Sequence, residues 1–276
     1  METAGKGAIP RKPWTRWIPL VALVALLPGC ATQLSIGAAT GYQNSETSSP
    51  APPVLRFQTN FIAPAGVVEA AVLQPGDILL TTDPTLTSAS IRLMTFAPVS
   101  HAAVYVGDGK VAEAVGSGVR VRDLEEFLAE AAVALVLRYP ELTAEQAALI
   151  GQYAVNKSGT GFNFLGVSLH IPFSIGRRLC ELPLVSLAVR DGCIRSMGVL
   201  HHLAASENRL FCSQLVLQAY RHAGVLVTDA DPRLISPADI LHMREGDVSS
   251  VRIPRQLRYV GRLKNEWPVT TVAFQQ

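Results

Sequence analysis

The sequence predicts an α+β domain with a largely antiparallel sheet. Of its 276 residues, 49% are hydrophobic and only 17% are charged, a balance that supports a large core and excludes disorder over most of the chain. The apolar, β-branched run 99–106 turns at Gly107-Asp108-Gly109 into a second run, 110–115, which is the pattern of a β-hairpin. Apolar residues recur at helical spacing in 144–154 and 212–222. Paired strands and helices at separate places along the chain favour the α+β class.

Turn and cap residues set the order of the other elements. Asp123 with Glu126, and Thr143 with Gln146, have the spacing of a capping box and predict the start of one helix each. Short apolar runs beside turn residues predict three further strands: 78–81, 134–139 and 252–260.

Residues 1–29 have the composition of an export signal. A basic segment is followed by the apolar run 18–27, which is shorter than the ~20 residues that span a bilayer. The cysteine that follows, Cys30, gives the segment a resemblance to a bacterial lipobox, although Pro28 departs from its usual pattern. The alternative is an ordinary cleavable signal beside a chance cysteine. By resemblance to Gram-negative lipoproteins, Ala31 implies an outer-membrane lipoprotein that faces the periplasm and is held in the membrane by lipidated Cys30.

The remaining chain divides into three parts. Residues 30–65 are rich in Ser, Thr, Gly, Ala and Pro and are predicted to be a flexible tether. Residues 66–263 form the predicted domain, and residues 264–276 a C-terminal tail. Within the domain, the apolar stretch 165–210 is predicted to be either a lid with an acyl-binding wall or an inserted subdomain that covers the core.

The distribution of charge excludes a nucleic-acid partner. The net charge is +3 over residues 1–29 and −1 over the rest, so the body lacks the basic surface that phosphates require. We predict no metal and no cofactor, because the adjacent pair His201-His202 has no carboxylate or cysteine at ligand spacing. Four cysteines are too few for a disulfide framework, but Cys180 and Cys193 are expected to pair in an oxidising periplasm.

Cys212 is the candidate nucleophile. It lies where a helix is predicted to begin, and the partial positive charge and free N–H groups of a helix N-terminus favour the thiolate. The same N–H groups can hold an oxyanion. Taken alone, the residue also fits a small buried side chain in a first helical turn.

His101 is the candidate base. It begins the strand His101-Ala102-Ala103-Val104-Tyr105, and the two alanines leave room for another group beside the imidazole. Tyr105 is on the same side of the strand and is predicted to line the cleft, with a core aromatic as the alternative. Ser213, next to the cysteine, is assigned to substrate binding as well.

These segments together resemble a family of enzymes. Ser100-His101-Ala102-Ala103-Val104-Tyr105-Val106-Gly107, Pro75-Gly76-Asp77-Ile78-Leu79 and Phe211-Cys212-Ser213-Gln214-Leu215 are similar to three motifs of NlpC-type, papain-like cysteine hydrolases. The histidine strand precedes the cysteine helix here, which is the order of the circularly permuted YiiX/YaeF-type group. The resemblance implies a permuted papain-like fold in which an antiparallel sheet or half-barrel packs on a nucleophile helix.

The same resemblance implies Glu113 as the residue that orients His101, twelve positions after it. A carboxylate there would fix the imidazole tautomer. The alternative is a glutamate that faces solvent. A three-residue hairpin loop would place Glu113 opposite Tyr105, ~13 Å from His101 at strand rise, so strong coiling of the sheet is required.

The predicted function is a thiol hydrolase that cleaves amides of cell-wall or other small peptides. Two alternatives stay open: a lipid acyltransferase or thioesterase of the same fold, and a ligand-binding lipoprotein without catalysis. The predicted partners are therefore a peptide or acyl-containing small substrate and the membrane.

Overall fold

The α+β prediction is confirmed by a computed structural model. The structure describes residues 31–35, 54–60, 66–85, 88–89, 91–92, 97–164, 166, 173–174, 176–198 and 209–265. Its strands are β1 Thr32–Ser35, β2 Val54–Phe57, β3 Ile78–Thr82, β4 His101–Gly107, β5 Lys110–Val115, β6 Gly118–Asp123, β7 Val133–Arg138, β8 Gly161–Phe162, β9 Arg209–Leu210 and β10 Arg258–Asn265. Its α-helices are α1 Leu124–Glu130, α2 Ala144–Asn156, α3 Leu187–Met197, α4 Cys212–His222 and α5 Pro237–Leu241, with 3₁₀ turns at Ala70–Val72 and Pro232–Leu234.

A six-stranded antiparallel sheet organises the domain, in the order β10-β7-β3-β4-β5-β6. The central strand β3 is buried on both faces because its residues alternate between two apolar clusters. Leu80 faces the larger cluster, to which α2 and α4 contribute. Leu79 faces a smaller cluster with Phe127 of α1. The sheet therefore has helices on both sides.

The two predicted capping boxes have different outcomes. Thr143 begins α2 as predicted, because its Oγ1 accepts from the Gln146 backbone N–H at 3.1 Å and the Gln146 side chain accepts from the Thr143 N–H at 3.0 Å. Asp123 does not cap α1. Its carboxylate accepts from Lys110 Nζ at 2.8 Å, and Lys110 is its direct partner across β5 and β6.

Part of the predicted tether is ordered, and the prediction of a strand-free segment over 30–65 is wrong for residues 31–35 and 54–60. Strands β1 and β2 form an antiparallel ribbon. Thr32 fixes it to the domain, since its Oγ1 accepts from the Leu184 N–H at 2.7 Å and its carbonyl accepts from the Arg190 guanidinium. Local periodicity cannot show such bonds, because the partners are more than 150 residues away.

A second clamp holds the end of the same segment. Asp247 accepts from the Thr59 N–H at 2.9 Å, and Arg244 donates to the Thr59 carbonyl at 2.7 Å. His242 Nδ1 lies 2.8 Å from the Asp247 carboxylate and completes the cluster. The domain thus includes residues that sequence reasoning assigned to a linker.

The C-terminal strand is displaced from its predicted place. Strand β10 covers Arg258–Asn265 rather than 252–260, and it pairs along β7 up to Asn265 opposite Val133. Residues 264 and 265 therefore belong to the sheet and not to the predicted tail. Residues 266–276 lie outside the described part of the chain, as do 1–30.

The described part of the insertion 165–210 is joined to the core. Phe173, Cys180 and Ile194 belong to the main apolar cluster. Arg177 is buried and ion-paired with Asp239 of α5 and with Glu181. The described residues of this stretch therefore pack on the core.

Cys180 and Cys193 form a disulfide, with Cα atoms 5.7 Å apart. The bridge ties the turn before α3 to α3 itself. We expect the double substitution Cys180→Ala with Cys193→Ala to lower the free energy of unfolding by about 3 kcal/mol, because the unfolded chain regains the freedom of a closed loop. Urea denaturation measures the change, and reduced wild-type protein should show a similar loss. Equal unfolding midpoints in all three samples would contradict the prediction.

Candidate active site

Cys212 is the first residue of α4. The residue before it, Phe211, has extended backbone angles, and its side chain makes no capping hydrogen bond. The first hydrogen bond of the helix runs from the Leu215 N–H to the Phe211 carbonyl at 2.9 Å, so the N–H groups of the first turn are not used within the helix. Val216 and Tyr220 of α4 are fully buried in the main apolar cluster and fix the helix against the sheet. The thiol is therefore held at a helix N-terminus on a rigid element.

The His101 imidazole lies beside the Cys212 side chain. His101 is the first residue of β4, and its imidazole is close enough to the thiol for each group to shift the pKa of the other. Nε2 of its imidazole lies 2.7 Å from Oε2 of Glu113, which leaves Nδ1 as the ring nitrogen for the sulfur. The structure thus brings together Cys212, His101 and Glu113, the three residues that the sequence predicts as catalytic.

The register of the hairpin differs from the expected one. Glu113 of β5 pairs with Ala103 rather than with Tyr105. Gly107 pairs with Lys110 across a two-residue turn, and the bulge between Tyr105 and Gly107 shifts the partner of Glu113 by one residue, from Val104 to Ala103. Residues directly opposite share a face, and so do residues two apart on one strand. Glu113 and His101 are therefore diagonal neighbours on one face. The expected 13 Å gap, and the coiling invoked to close it, are wrong.

Two arginines that the sequence analysis did not single out hold Glu113. Arg120 of β6 is directly opposite Glu113, and its Nε donates to Oε1 at 2.8 Å. Arg122 Nε lies 2.9 Å from the same oxygen. Arg122 also contacts Glu130 of α1 at 2.7 Å and lies over the Phe127 ring. A sequence signal for these two arginines does exist. The alternation Arg120-Val121-Arg122 follows a Gly-containing turn and is typical of a strand with both arginines on one face.

The site favours a thiolate–imidazolium pair. Burial by itself lowers the pKa of His101, but its hydrogen bonds to Cys212 and Glu113 outweigh burial and raise that pKa to about 10. Burial raises the pKa of Cys212, whereas the hydrogen bond and charge of His101, with the backbone N–H groups of Ala102 and Ser213, bring it below that of an ordinary thiol.

Glu113 is held as an anion. Burial raises the pKa of its carboxyl, but the bond to His101 and the charges of His101 and Arg122 lower it to about 2. The carboxylate is nearly inaccessible to solvent, with 2% of its side chain exposed. A buried anion that contacts Nε2 orients the imidazole and stabilises its protonated form.

The two predicted substrate-binding side chains lie elsewhere. The Tyr105 ring is buried in the smaller apolar cluster, and its hydroxyl accepts from the Gly109 N–H at 3.0 Å. It is a core aromatic, because four residues of strand separate it from His101. The Ser213 hydroxyl is fully buried and donates to the Ile235 carbonyl at 2.6 Å. Of the groups of Ser213, the backbone N–H and not the hydroxyl acts on the Cys212 thiol.

A metal site and a membrane-spanning helix are both absent from the described residues. No group of three histidine, cysteine or acidic side chains among them could hold a metal ion. Within that same part of the chain, no helix is both long enough and apolar enough to cross a membrane. Cys30 lies outside the described residues.

The fold and the site together define a papain-like cysteine hydrolase whose histidine strand precedes its cysteine helix. Residues 72–168 match the family described as permuted papain-like amidase enzyme, YaeF/YiiX, C92 family. The probable lipoprotein peptidase YaeF of Escherichia coli strain K12 is 38% identical over 200 residues, which cover 71% of this chain and 73% of that protein. A solved structure, metalloprotein yiiX from Escherichia coli O157:H7, is similar with a TM-score of 0.41 and 21% identity, over 71% of this chain and 98% of that one.

This chain belongs to the permuted papain-like amidase family. It is a cysteine hydrolase, as the resemblance of its three motifs implied.

The charge of Glu113 is open to a direct test. We expect Glu113→Gln to lower kcat, because the imidazolium loses its buried anionic partner. The carboxylate is part of what raises the pKa of His101, so His101 should lose its proton at a lower pH and the alkaline limit of activity should move down from about pH 10. The measurement is the pH profile of hydrolysis of an amide substrate such as a peptide p-nitroanilide, whose leaving amine needs the His101 proton.

Glu130→Gln is the matched control, since Glu130 pairs with Arg122 but does not contact His101. It should leave the alkaline limit in place. An alkaline limit that is the same in wild type and Glu113→Gln would show that the carboxylate does not act on the imidazole.

Proposed function

We propose that the chain is an exported, lipid-anchored thiol hydrolase that cleaves amide bonds in cell-wall peptides or related small peptides. Its catalytic triad is Cys212, His101 and Glu113. The observation that supports the proposal is the position of His101 between the Cys212 thiol, whose pKa it lowers, and the buried Glu113 carboxylate, 2.7 Å from its Nε2.

The first half of the reaction forms an acyl-enzyme. The Cys212 thiolate attacks the amide carbonyl carbon, and the carbonyl oxygen takes the negative charge. Backbone N–H groups of the first turn of α4 stabilise that oxyanion. The intermediate collapses as the C–N bond breaks, and His101 donates its Nδ1 proton to the leaving amine.

The second half releases the acid. Neutral His101 takes a proton from water, and the resulting hydroxide attacks the thioester. The C–S bond breaks, the acid product leaves, and the thiolate–imidazolium pair is restored. Glu113 stays ionised throughout, because Arg120 and Arg122 hold it as an anion.

Anchoring is proposed at Cys30. The support is the sequence pattern around that residue and the name of the Escherichia coli relative, a probable lipoprotein peptidase. A periplasm-facing place on the outer membrane fits Ala31 after the cysteine. The mass of the N-terminal peptide tests the anchor: a diacylated Cys30 supports it, and an unmodified or absent Cys30 sinks it.

A substrate panel tests the amidase proposal. Purified muropeptides and short peptides are compared with acyl-lipid esters and thioesters, and the Cys212→Ser enzyme is the blank. Amine release from the peptides supports the proposal. Hydrolysis of the lipid esters alone would instead select the acyltransferase or thioesterase alternative.

A further inference from the structure

The ribbon of β1 and β2 has one apolar face that is exposed. Opposite residues of an antiparallel pair point to the same side, and so do residues two apart on a strand. Thr32 pairs with Phe57 and Leu34 pairs with Leu55, so these four side chains share one face. Phe57 is 57% exposed, Leu34 56% and Leu55 39%.

A fourth apolar residue extends this face on the domain itself. The Leu184 N–H donates to the Thr32 hydroxyl, which places residue 184 against the apolar side of the ribbon, and its side chain is 74% exposed. We call Leu34, Leu55, Phe57 and Leu184 the anchor patch. The opposite side of the ribbon presents Gln33 and Arg56, which pair with each other, together with Val54. Both sides are exposed, and three of the four exposed apolar side chains of the ribbon lie on the first side.

The chain immediately before the anchor patch identifies its occupant. Ala31 is fully buried and Thr32 nearly so, which fixes residue 31 to the domain. Cys30 is covalently bonded to Ala31, and consecutive Cα atoms are ~3.8 Å apart, so an anchor at Cys30 would tether the domain at this end of the ribbon. An acylated Cys30 would therefore hold the anchor patch at the bilayer.

We propose that the anchor patch inserts into the lipid surface beside the acylated cysteine, with the Gln33 and Arg56 side toward the headgroups and water. A diacylated cysteine already carries the two acyl chains that a stable anchor needs, so the contact would fix how the domain is oriented on the bilayer. Exposed apolar patches on otherwise well-packed proteins mark such contact sites. This inference rests on the proposed acylation of Cys30, which would orient the domain on the membrane. The experiment below tests acylation of Cys30 and insertion of the anchor patch separately.

Tryptophan placed on the ribbon tests the contact. The full chain is expressed with Trp14, Trp17 and Trp267 changed to phenylalanine, checked for acylation by mass, and reconstituted into phosphatidylethanolamine–phosphatidylglycerol vesicles that contain brominated lipid. The probes on the patch are Phe57→Trp and Leu34→Trp. The controls are Gln33→Trp, on the other side of the ribbon, and Val155→Trp, an apolar site on α2 whose side chain is 45% exposed.

The patch probes should be quenched at least about twofold more than the controls, because only side chains within the acyl region contact the bromine atoms. Patch probes quenched no more than Val155→Trp would overturn the proposal even in an acylated protein. Equal quenching at positions 33 and 34 would show that the two faces of the ribbon are equally close to the lipid, which would contradict insertion of the Leu34 face. Blue-shifted emission that depends on protein concentration without vesicles would indicate a second copy of the chain instead of lipid.

Discussion

Cys212→Ser should abolish hydrolysis while the fold persists. A serine hydroxyl is not ionised by His101 as a thiol is, because its intrinsic pKa is far higher, so the charge pair of the resting enzyme cannot form. We expect kcat for p-nitrophenyl acetate to fall by about 10⁴-fold or more, the range seen when a nucleophile is removed. The neighbouring Ser213 cannot replace the lost thiol, since its hydroxyl is buried and bonded to Ile235.

The matched control is Gln218→Ala on the same helix. The Gln218 side chain accepts from the Tyr153 hydroxyl at 2.9 Å and faces away from the reaction. It should keep nearly full activity, and both variants should unfold at urea concentrations close to that of the wild type. Substantial turnover by Cys212→Ser would place the nucleophile elsewhere.

His101→Asn should have the second-largest effect. The variant loses the acid that protonates the leaving group and the base that activates water, and general acid–base catalysis is typically worth 10²–10⁴-fold. We expect a loss of about 10³-fold in kcat. The variant also removes the bond and the charge that lower the pKa of Cys212, so the thiol should titrate at a higher pH than in the wild type.

Burst kinetics separate the two roles of His101. Mixing wild type with p-nitrophenyl acetate should give a rapid acylation phase followed by slower turnover, and His101→Asn should slow both phases. His242→Asn is the control, because His242 also contacts a carboxylate, Asp247, but holds the segment around Thr59 and not the thiol. Two phases of unchanged rate in His101→Asn would show that the imidazole has no part in either step.

Cys212 and His101 could be predicted from sequence because each lies in a short local pattern, whereas Glu113 was predicted from its spacing to His101 in the family that the motifs resemble. A cysteine at a predicted helix start and a histidine at a strand start need only periodicity and cap rules. The register of Glu113 could not be predicted, because a single bulge beside Gly107 shifts the pairing. Arg120 and Arg122 could not be predicted as partners of Glu113, because their position depends on the pairing of β6 with β5.

The remaining errors share a physical cause, which is dependence on distant contacts. The ribbon that includes Thr32 is ordered by bonds to Leu184 and Arg190, and neither bond has a local signature. Tyr105 shares a strand face with His101, yet the strand carries it into the smaller apolar cluster. Patterns show which face a residue takes but not what covers it.

The resting charge state of Cys212 is the central claim, and alkylation tests it most directly. The rate of modification by iodoacetamide is followed against pH at the peptide that contains Cys212, so that other thiols do not contribute. The rate should reach half of its plateau at a lower pH than the rate of a free cysteine does, because His101 lowers the pKa of the Cys212 thiol. A midpoint at or above that of a free thiol, near ~8.5, would contradict the charge pair on which the mechanism is built.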